Sequence, residues 1–589
     1  MMGTPTPLLN RSRIGWLLLP LLPLTSLGCS SSDDDFSPTP PVTLVYDPGS
    51  WDNATVYFVI TDRFLDGNSS NNNAYGRQSD GLDEIGTFHG GDFRGITQKL
   101  EEDYFSALGV SVLWITAPYE QIHGWVPGAN SEFIHYPYHG YWPLDFTRLD
   151  ANYGTEEELM DLVDTAHRKG IRVLLDVVMN HAGYANIGDL AEFQVDVLKS
   201  GWENATLDNY YDLIDFQDPD FASWWGVDWI RAGLGGGYDP GGTDDLTKNL
   251  AYLPDFKTED TTPIDLPPFY ALKSDSLAAP REGYAVRDYL VEWLTEYVST
   301  YGIDGFRCDT VKHVEGDSWL ALKEAGHVAL VSWRANHPEK AFDDALYPDP
   351  SRPFWMVGEV FGHGVSKDGY FAQGFDALIN FNFQDAASKA LGNPLAIDEL
   401  WQYYADSINS DPDFNALSYV SSHDTSLFFD RYAEGSLDKQ KQAGSLLLLT
   451  PGAVQIFYGD ENARPPGPKT SDAQQATRSD YLWNANPEVL DHWARLGRFR
   501  RKHEAVGAGN HTKLADTPYT FKRALGDDVV YILLRGDADE SGETTVEVGA
   551  DWPDGTSIRD AYYGRSTTVQ EGKVTLPVAP TGVLLLEKM

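Results

Sequence analysis

Two stretches of this chain repeat one pattern: an amphipathic helix ends at a glycine and leads at once into a continuously apolar strand. In the first, Thr155 and Glu158 make a capping box, and Leu159, Leu162, Val163 and Ala166 form a helical stripe. Gly170 stops the helix, and "IRVLLDVVMNH" (171–181) follows. In the second, Val286, Tyr289, Leu290, Trp293, Leu294, Tyr297 and Val298 form the stripe. Gly302 ends it, and "GIDGFRCDTVKH" (302–313) carries the strand. Strands with no polar face have to be covered on both sides, which predicts a parallel sheet between helices. Further strand candidates are "VYFVITDRF" from 56, "SVLWITAP" from 111, "FWMVGEV" from 354, "FDALINFNF" from 375, "ALSYVSSHD" from 416 and "AVQIFYGDE" from 453. With the first two they make eight, the number that closes a (β/α)8 TIM barrel.

The remaining segments set the expected boundaries. Barrel residues run from 50 to 181 and from 286 to 507. Residues 182–285 are too long for a plain loop and are read as an inserted subdomain after strand 3. From 508 to 589 the pattern changes to short alternating segments such as "DVVYILLRG" and "GVLLLEKM", which predict a C-terminal antiparallel β-sandwich. Residues 1–28 carry Arg11 and Arg13, an apolar run broken by proline, and then small residues, the form of a secretory signal. Residues 29–49 are polar, acidic and Pro-rich, as expected of a flexible tether.

The chain has 44 basic and 88 acidic residues among 589, a formal charge of −44. Such a surface repels nucleic acid and anionic membranes, which makes both poor partners. Concentrated salt would screen its self-repulsion, so a halophilic setting and an ordinary acidic exported protein both fit. Two cysteines, Cys29 and Cys308, cannot build a disulfide framework.

In an extended strand, residues two apart share a face, so Arg307 and Asp309 point together while Cys308 points toward the helices. A cation beside a carboxylate keeps it ionised, which suits a nucleophile and equally suits a structural ion pair. Asp176, Glu359 and Asp424 also lie at predicted strand ends, where such barrels hold their active sites. Paired carboxyls, one nucleophilic and one protonated, are the equipment of glycoside hydrolysis.

"DVVMNH" (176–181), "GFRCDTVKH" (305–313), "GEVF" (358–361) and "SSHDT" (421–425) resemble, in order, the signature segments of the α-amylase family of glycoside hydrolases (family 13). "YLPDF" (252–256) is similar to a fifth, and "TDRF", "EQIHGWV", "YHGYW" and "PGAVQIFYGDE" resemble bacterial periplasmic members. The resemblance implies hydrolysis of α-1,4-glucosidic bonds in starch, glycogen and maltooligosaccharides with retained anomeric configuration. It makes Asp309 the nucleophile, Glu359 the general acid/base and Asp424 the residue that binds sugar hydroxyls and stabilises the transition state. It makes Arg307, His181, His423, Tyr141, His139, Asp176 and Lys312 substrate-side residues. A 4-α-glucanotransferase or a cyclodextrin-forming enzyme, an α-1,6-acting enzyme, and a non-catalytic glucan-binding barrel are the competing readings.

The resemblance also implies Ca²⁺, whose hard oxygen ligands come from separated segments. Asn180, Asp255 and the His313 carbonyl would form one site, with Leu246 adding a carbonyl. Asp66, Asn68, Asn71, Asn72, the Gly90 carbonyl and Asp92 match a calcium loop of cyclodextrin-forming relatives, or make an Asx-rich turn. Ser422 stands where chloride-dependent members carry Asn, so no chloride requirement is expected. The N-terminal segment resembles a lipoprotein signal with Cys29 as the lipidated residue, tethering an exported monomer to a membrane facing the periplasm or the cell surface.

Overall fold

The computed structural model describes residues 44, 47–77, 85–235, 237–342, 351–536, 542–578 and 582–589. The expected signal, the Cys29 anchor and nearly all of the tether fall outside them. Among the described residues no helix is long and apolar enough to cross a membrane.

Eight parallel strands close into a barrel: β1 (Thr55–Val59), β2 (Val112–Ile115), β3 (Arg172–Val177), β4 (Gly305–Cys308), β5 (Trp355–Gly358), β6 (Ala377–Asn380), β7 (Asn415–Tyr419) and β8 (Ala453–Phe457). They neighbour one another in chain order, and β8 pairs with β1. The strands are shorter than the apolar runs that announced them, and "IRVLLDVVMNH" leaves the sheet after Val177. Asp176 is therefore on a strand, Asp309 and Glu359 are each the first residue beyond one, and Asp424 lies in the loop after β7.

Helix α1 (Phe93–Glu101) follows β1, and α2 (Glu156–Arg168) precedes β3. The capping box forms: Thr155 Oγ1 accepts from Glu158 N–H, and Glu158 Oε2 accepts from Thr155 N–H at 3.0 Å. Leu159, Leu162, Val163 and Ala166 are buried. Helix α3 (Val286–Tyr301) buries its whole expected stripe and stops at Gly302, where φ is +77°. A β-carbon there would sit 2.4 Å from Trp333 on α4 (Gly316–Asn336), so both the turn and the close approach require glycine. At the bottom of the barrel Trp51 and Trp355 stack at 4.6 Å with Arg172 over Trp51, so chemistry is confined to the opposite mouth.

The insertion after β3 has an aromatic core of Trp224, Trp225, Trp229, Phe256 and Phe269. Trp229 lies parallel to Trp293 of α3 at 5.9 Å, which seats the insertion on the barrel. Its ribbon, Ile230–Arg231 with Asp255–Phe256, reaches β3's end through a bridge between His181 and Asp255.

Beyond α5 (Pro487–Lys502) the chain forms β9 (Asn510–Asp516), β10 (Tyr519–Leu525), β11 (Asp528–Leu534), β12 (Gly542–Glu547), β13 (Ser557–Asp560), β14 (Arg565–Thr568), β15 (Lys573–Val578) and β16 (Val583–Lys588). Six of them make one antiparallel sheet, ordered β9-β10-β11-β16-β13-β14, and β12 pairs with β15. The period-2 alternation divides its two faces. Phe521, Val530, Ile532 and Leu585 join the main core, while Tyr531, Leu533, Leu584 and Leu586 pack with Val546, Trp552, Val574 and Leu576.

Candidate active site

The β3–β4 register sets Asp176 beside Arg307, and the alternation along β4 adds Asp309 to the same face. Arg307 Nη1 donates to Asp176 Oδ1 at 2.9 Å and to Asp309 Oδ1 at 2.7 Å. All three are buried. Asp176 Oδ2 accepts from Tyr141 OH at 2.7 Å and from Trp114 Nε1 at 3.2 Å, so Asp176 braces both the cation and the tyrosine. Cys308 turns the other way, fully buried toward the helical layer, and burial pushes its thiol well above the usual range.

Immediately after Asp309 the chain turns sharply, with Thr310 at φ +49° in the left-handed region. The turn aims Thr310 N–H at Glu359 Oε2, 2.9 Å away, and Val311 N–H at the Glu359 carbonyl, 3.0 Å away. Asp309 and Glu359 are thus fixed to one another through the backbone. Glu359 is 6% exposed, and its carboxyl is pushed up to about 7, by burial first and the Asp309 charge second. Burial also raises Asp424, but His423, Arg478 and Arg307 outweigh that and hold it well below the ordinary carboxylate range. One acid is thus biased toward its proton and another away from it, as paired acid and anion roles need.

Tyr141 lies parallel to His423 at 5.5 Å, and its hydroxyl is 3.0 Å from His423 Nε2. His139 also lies near-parallel to Tyr141 at 5.5 Å and accepts its N–H at Nδ1, 3.1 Å away. His181 Nε2 lies 3.0 Å from the Tyr141 carbonyl, and burial keeps both His139 and His181 neutral. Lys312 is half-buried on the turn after Asp309, with no hydrogen-bond or ion-pair partner among the described residues. Three groups at this site escaped the sequence reading. Trp114 reads as a core residue of β2, the strain at Thr310 leaves no mark in composition, and Arg478 belongs to a loop without periodicity.

A family model for the α-amylase catalytic domain matches residues 58–219 and 270–481. The chain belongs to the α-amylase family of glycoside hydrolases. It is 49% identical over 513 residues to the periplasmic α-amylase of Escherichia coli (strain K12), spanning 83% of this chain and 73% of that protein. A cyclomaltodextrin glucanotransferase of Niallia circulans is 25% identical over 517 residues, 86% of this chain and 62% of that protein. An Anoxybacillus α-amylase structure superposes with a TM-score of 0.62 at 21% identity, covering 91% of this chain and 98% of that chain. The Geobacillus thermoleovorans α-amylase complexed with acarbose gives 0.60 at 20% identity over 91% and 99%. At those identities the two structures bear on fold alone. As a family member the chain is a retaining glycoside hydrolase.

Two oxygen-rich clusters lie near the site. Asn180 Oδ1 is 3.0 Å from the His313 carbonyl oxygen and 3.2 Å from Asp255 Oδ1, while Asn180 Nδ2 faces His181 Nδ1 at 3.1 Å. Arg231 holds the other Asp255 oxygen at 2.7 Å, and burial, opposed by Arg231, raises Asp255 to about 7. The Leu246 side chain is exposed and its N–H is bonded to Asp244 Oδ1. The carbonyl its segment brings to His313 is that of Asp245, 2.7 Å from Nδ1 of the ring.

The second cluster is divided. Asn72 Nδ2 donates to Asp66 Oδ2 at 2.8 Å, and Asn72 lies against Gly90. Asn71 Oδ1 and Asn72 Oδ1 are buried without a partner. Asn68 instead turns its oxygen to Ser70. Asp92 serves as the N-cap of α1, its carboxylate accepting from Gly95, Asn68 and Gly67 N–H. Asn68 and Asp92 thus both have hydrogen-bond donors in this structure. A third group, His123 with Asp189 and Glu192, could hold a metal by proximity. Both ring nitrogens are taken, however, by Glu192 at 2.8 Å and Glu120 at 2.7 Å. Burial disfavours the charged ring, but those two bonds outweigh it and raise His123 to about 9.

Proposed function

We propose that the chain is an exported α-amylase that cleaves internal α-1,4 bonds of starch-like glucans by double displacement. Asp309 attacks the anomeric carbon while Glu359 gives its proton to the leaving oxygen. The covalent glycosyl-enzyme is then hydrolysed by water that Glu359 deprotonates. Arg307 orients Asp309, and Asp176 braces Arg307 and Tyr141. Tyr141 stacks on the sugar undergoing cleavage, with His139 behind it. His181 and His423 donate to its hydroxyls, Asp424 balances the positive charge of the transition state, and Lys312 reaches the leaving-group side. The observation that carries this reading is the pairing of a buried, proton-retaining Glu359 with the Arg307-held Asp309 across one tight turn.

Asn180, Asp255 and the His313 carbonyl supply three oxygens that face one another without an intervening hydrogen, a donor set fitting Ca²⁺. Exchanging the Asn180 amide oxygen and nitrogen would make the same contacts ordinary hydrogen bonds, so chelation separates the two readings. The orphaned Asn71 and Asn72 oxygens fit a second Ca²⁺ beside Asp66 and Gly90. A bound cation would join insertion to barrel and take no chemical step. Export is supported by the signal-like N-terminus and the periplasmic relative; lipidation of Cys29 is the finer proposal, tested by membrane partition of Cys29→Ser.

The deciding experiment is chromatography of products from amylose, pullulan and cyclodextrins with wild type and Asp309→Ala. Linear α-1,4 oligosaccharides from amylose alone, lost in the variant, are expected. Cyclic products, pullulan cleavage, or an active Asp309→Ala would overturn the assignment.

A further inference from the structure

Arg307 hydrogen-bonds Asp176 and Asp309 but not Asp424 among the described residues, and a different segment takes charge of that carboxylate. After β8 the chain runs through a Pro- and Gly-rich strap from 464 to 479. Its root is locked by Arg464, which donates to the Tyr458, Thr477 and Ser479 carbonyls. Near its tip, Ser471 N–H donates to Glu132 Oε2 at 2.8 Å, which fastens the strap to the loop after β2. Its last turn, Gln475–Arg478, lies against the His423–Asp424 pair.

Three strap side chains grip those two residues. Thr477 Oγ1 donates to the His423 carbonyl at 2.8 Å, and Gln474 Nε2 donates to the Asp424 carbonyl at 3.3 Å. Arg478 Nη2 reaches Asp424 Oδ1 at 3.3 Å, opposite His423 Nε2, which is 3.0 Å from Oδ2. Arg478 is 8% exposed, and Asp424 is the only carboxylate it pairs with among the described residues. A buried guanidinium is costly without a counter-charge, so the pairing matters to both partners.

We propose that Arg478 is a positioning residue for Asp424: the strap, through Arg478, Gln474 and Thr477, aims this carboxylate and keeps it ionised where positive charge develops on the sugar. The inference rests on the reading of Asp424 as the transition-state acid. It explains why this loop is pinned at both root and tip. Positive charge develops on the sugar only in the transition state, so the larger part of the effect belongs to kcat.

The test is steady-state hydrolysis of maltooligosaccharides by Arg478→Met, Arg478→Lys, Gln474→Ala and Thr477→Val, in wild-type and Asp424→Asn backgrounds, with melting temperatures alongside. Arg478→Met is expected to lose about 10²-fold or more, mostly in kcat, as removal of an aimed electrostatic group does. Arg478→Lys should recover at least about tenfold of that, and the two milder variants should lose less than Arg478→Met. In Asp424→Asn the added Arg478→Met should cost less than about threefold, because residues that act as a unit are not additive. A loss confined to KM, a full loss persisting in Asp424→Asn, no rescue by Lys, or near-wild-type activity of Arg478→Met would each overturn the proposal. Should Arg478→Met fail to fold, Gln474→Ala and Thr477→Val carry the same kcat test. An Asp424→Asn variant as active as wild type would instead refute the reading beneath it.

Discussion

Glu359 offers a test in which catalysis and stability move in opposite directions. Its carboxyl titrates at about 7 in the folded chain against 4.5 ordinarily, through burial and then the charge of Asp309. Between those values the folded chain holds a proton that the unfolded chain has released, so stability falls as pH rises through the window. The gap of about 2.5 pH units corresponds to ~3 kcal/mol, fully expressed above pH 7 and absent below about pH 4. Glu359→Gln keeps the shape and cannot ionise. Relative to wild type it is expected to gain ~3 kcal/mol on going from pH 4 to pH 8. For a chain of this size, unfolding entropy near 2.1 cal/mol/K per residue converts that into about 3 °C of apparent melting temperature. Differential scanning calorimetry of both proteins at the two pH values, at one ionic strength, reads it directly. The same variant should lose about 10²- to 10⁴-fold in kcat on maltooligosaccharides, the usual contribution of a general acid. It should lose far less on an aryl glycoside whose leaving group departs without a proton. A melting difference that is identical at pH 4 and pH 8 would refute the burial-and-charge argument, and an unchanged kcat would refute the acid role.

Three further outcomes are expected. EDTA should lower the apparent melting temperature by several degrees, and Asp255→Asn should abolish that response; identical melting with and without chelator would remove the cation reading of both oxygen clusters. Cys308 is buried among helix-facing side chains, so Cys308→Val should keep kcat within about threefold and the native enzyme should resist thiol reagents. Rapid inactivation by such a reagent, with the fold intact, would contradict it. With a formal charge of −44, stability should rise from low to molar salt as the screening length contracts from about 10 Å at 0.1 M to about 3 Å at 1 M. A flat response would sink the idea of a salt-adapted surface.

What could be seen in the sequence was what periodicity controls. All eight barrel strands, the capping box at Thr155, the stop at Gly302 and the two-faced C-terminal sheet follow from apolar spacing and turn chemistry. The pairing of Arg307 with Asp309 follows from strand alternation, and it survives although Asp309 is one residue past the strand. Contacts gathered from loops are not legible in this way. Asp92 also caps α1, and the Asp245 carbonyl beside Leu246 meets the His313 ring, because a loop residue's partners depend on competing donors that no local pattern reports.

The groups that the sequence did hide nevertheless obey a rule of the closed barrel. Several contacts of the site run between neighbouring strands or loops around the ring. Asp176 of β3 is held by Arg307 of β4, and the turn after β4 that carries Asp309 is held by Glu359 after β5. Asp424, in the loop after β7, is held by Arg478 in the loop after β8. Neighbouring strands put their C-terminal ends side by side, so an acid in one loop is within side-chain reach of the next loop however long the intervening sequence. More than fifty residues separate Asp424 from Arg478, including a helix, Leu437–Leu448, and all of β8. Contact between the two loops depends on the register of β7 with β8, Leu417 opposite Ala453 and Ser418 opposite Val454. Barrel closure, rather than any motif, is therefore what brings the second guanidinium to the active site.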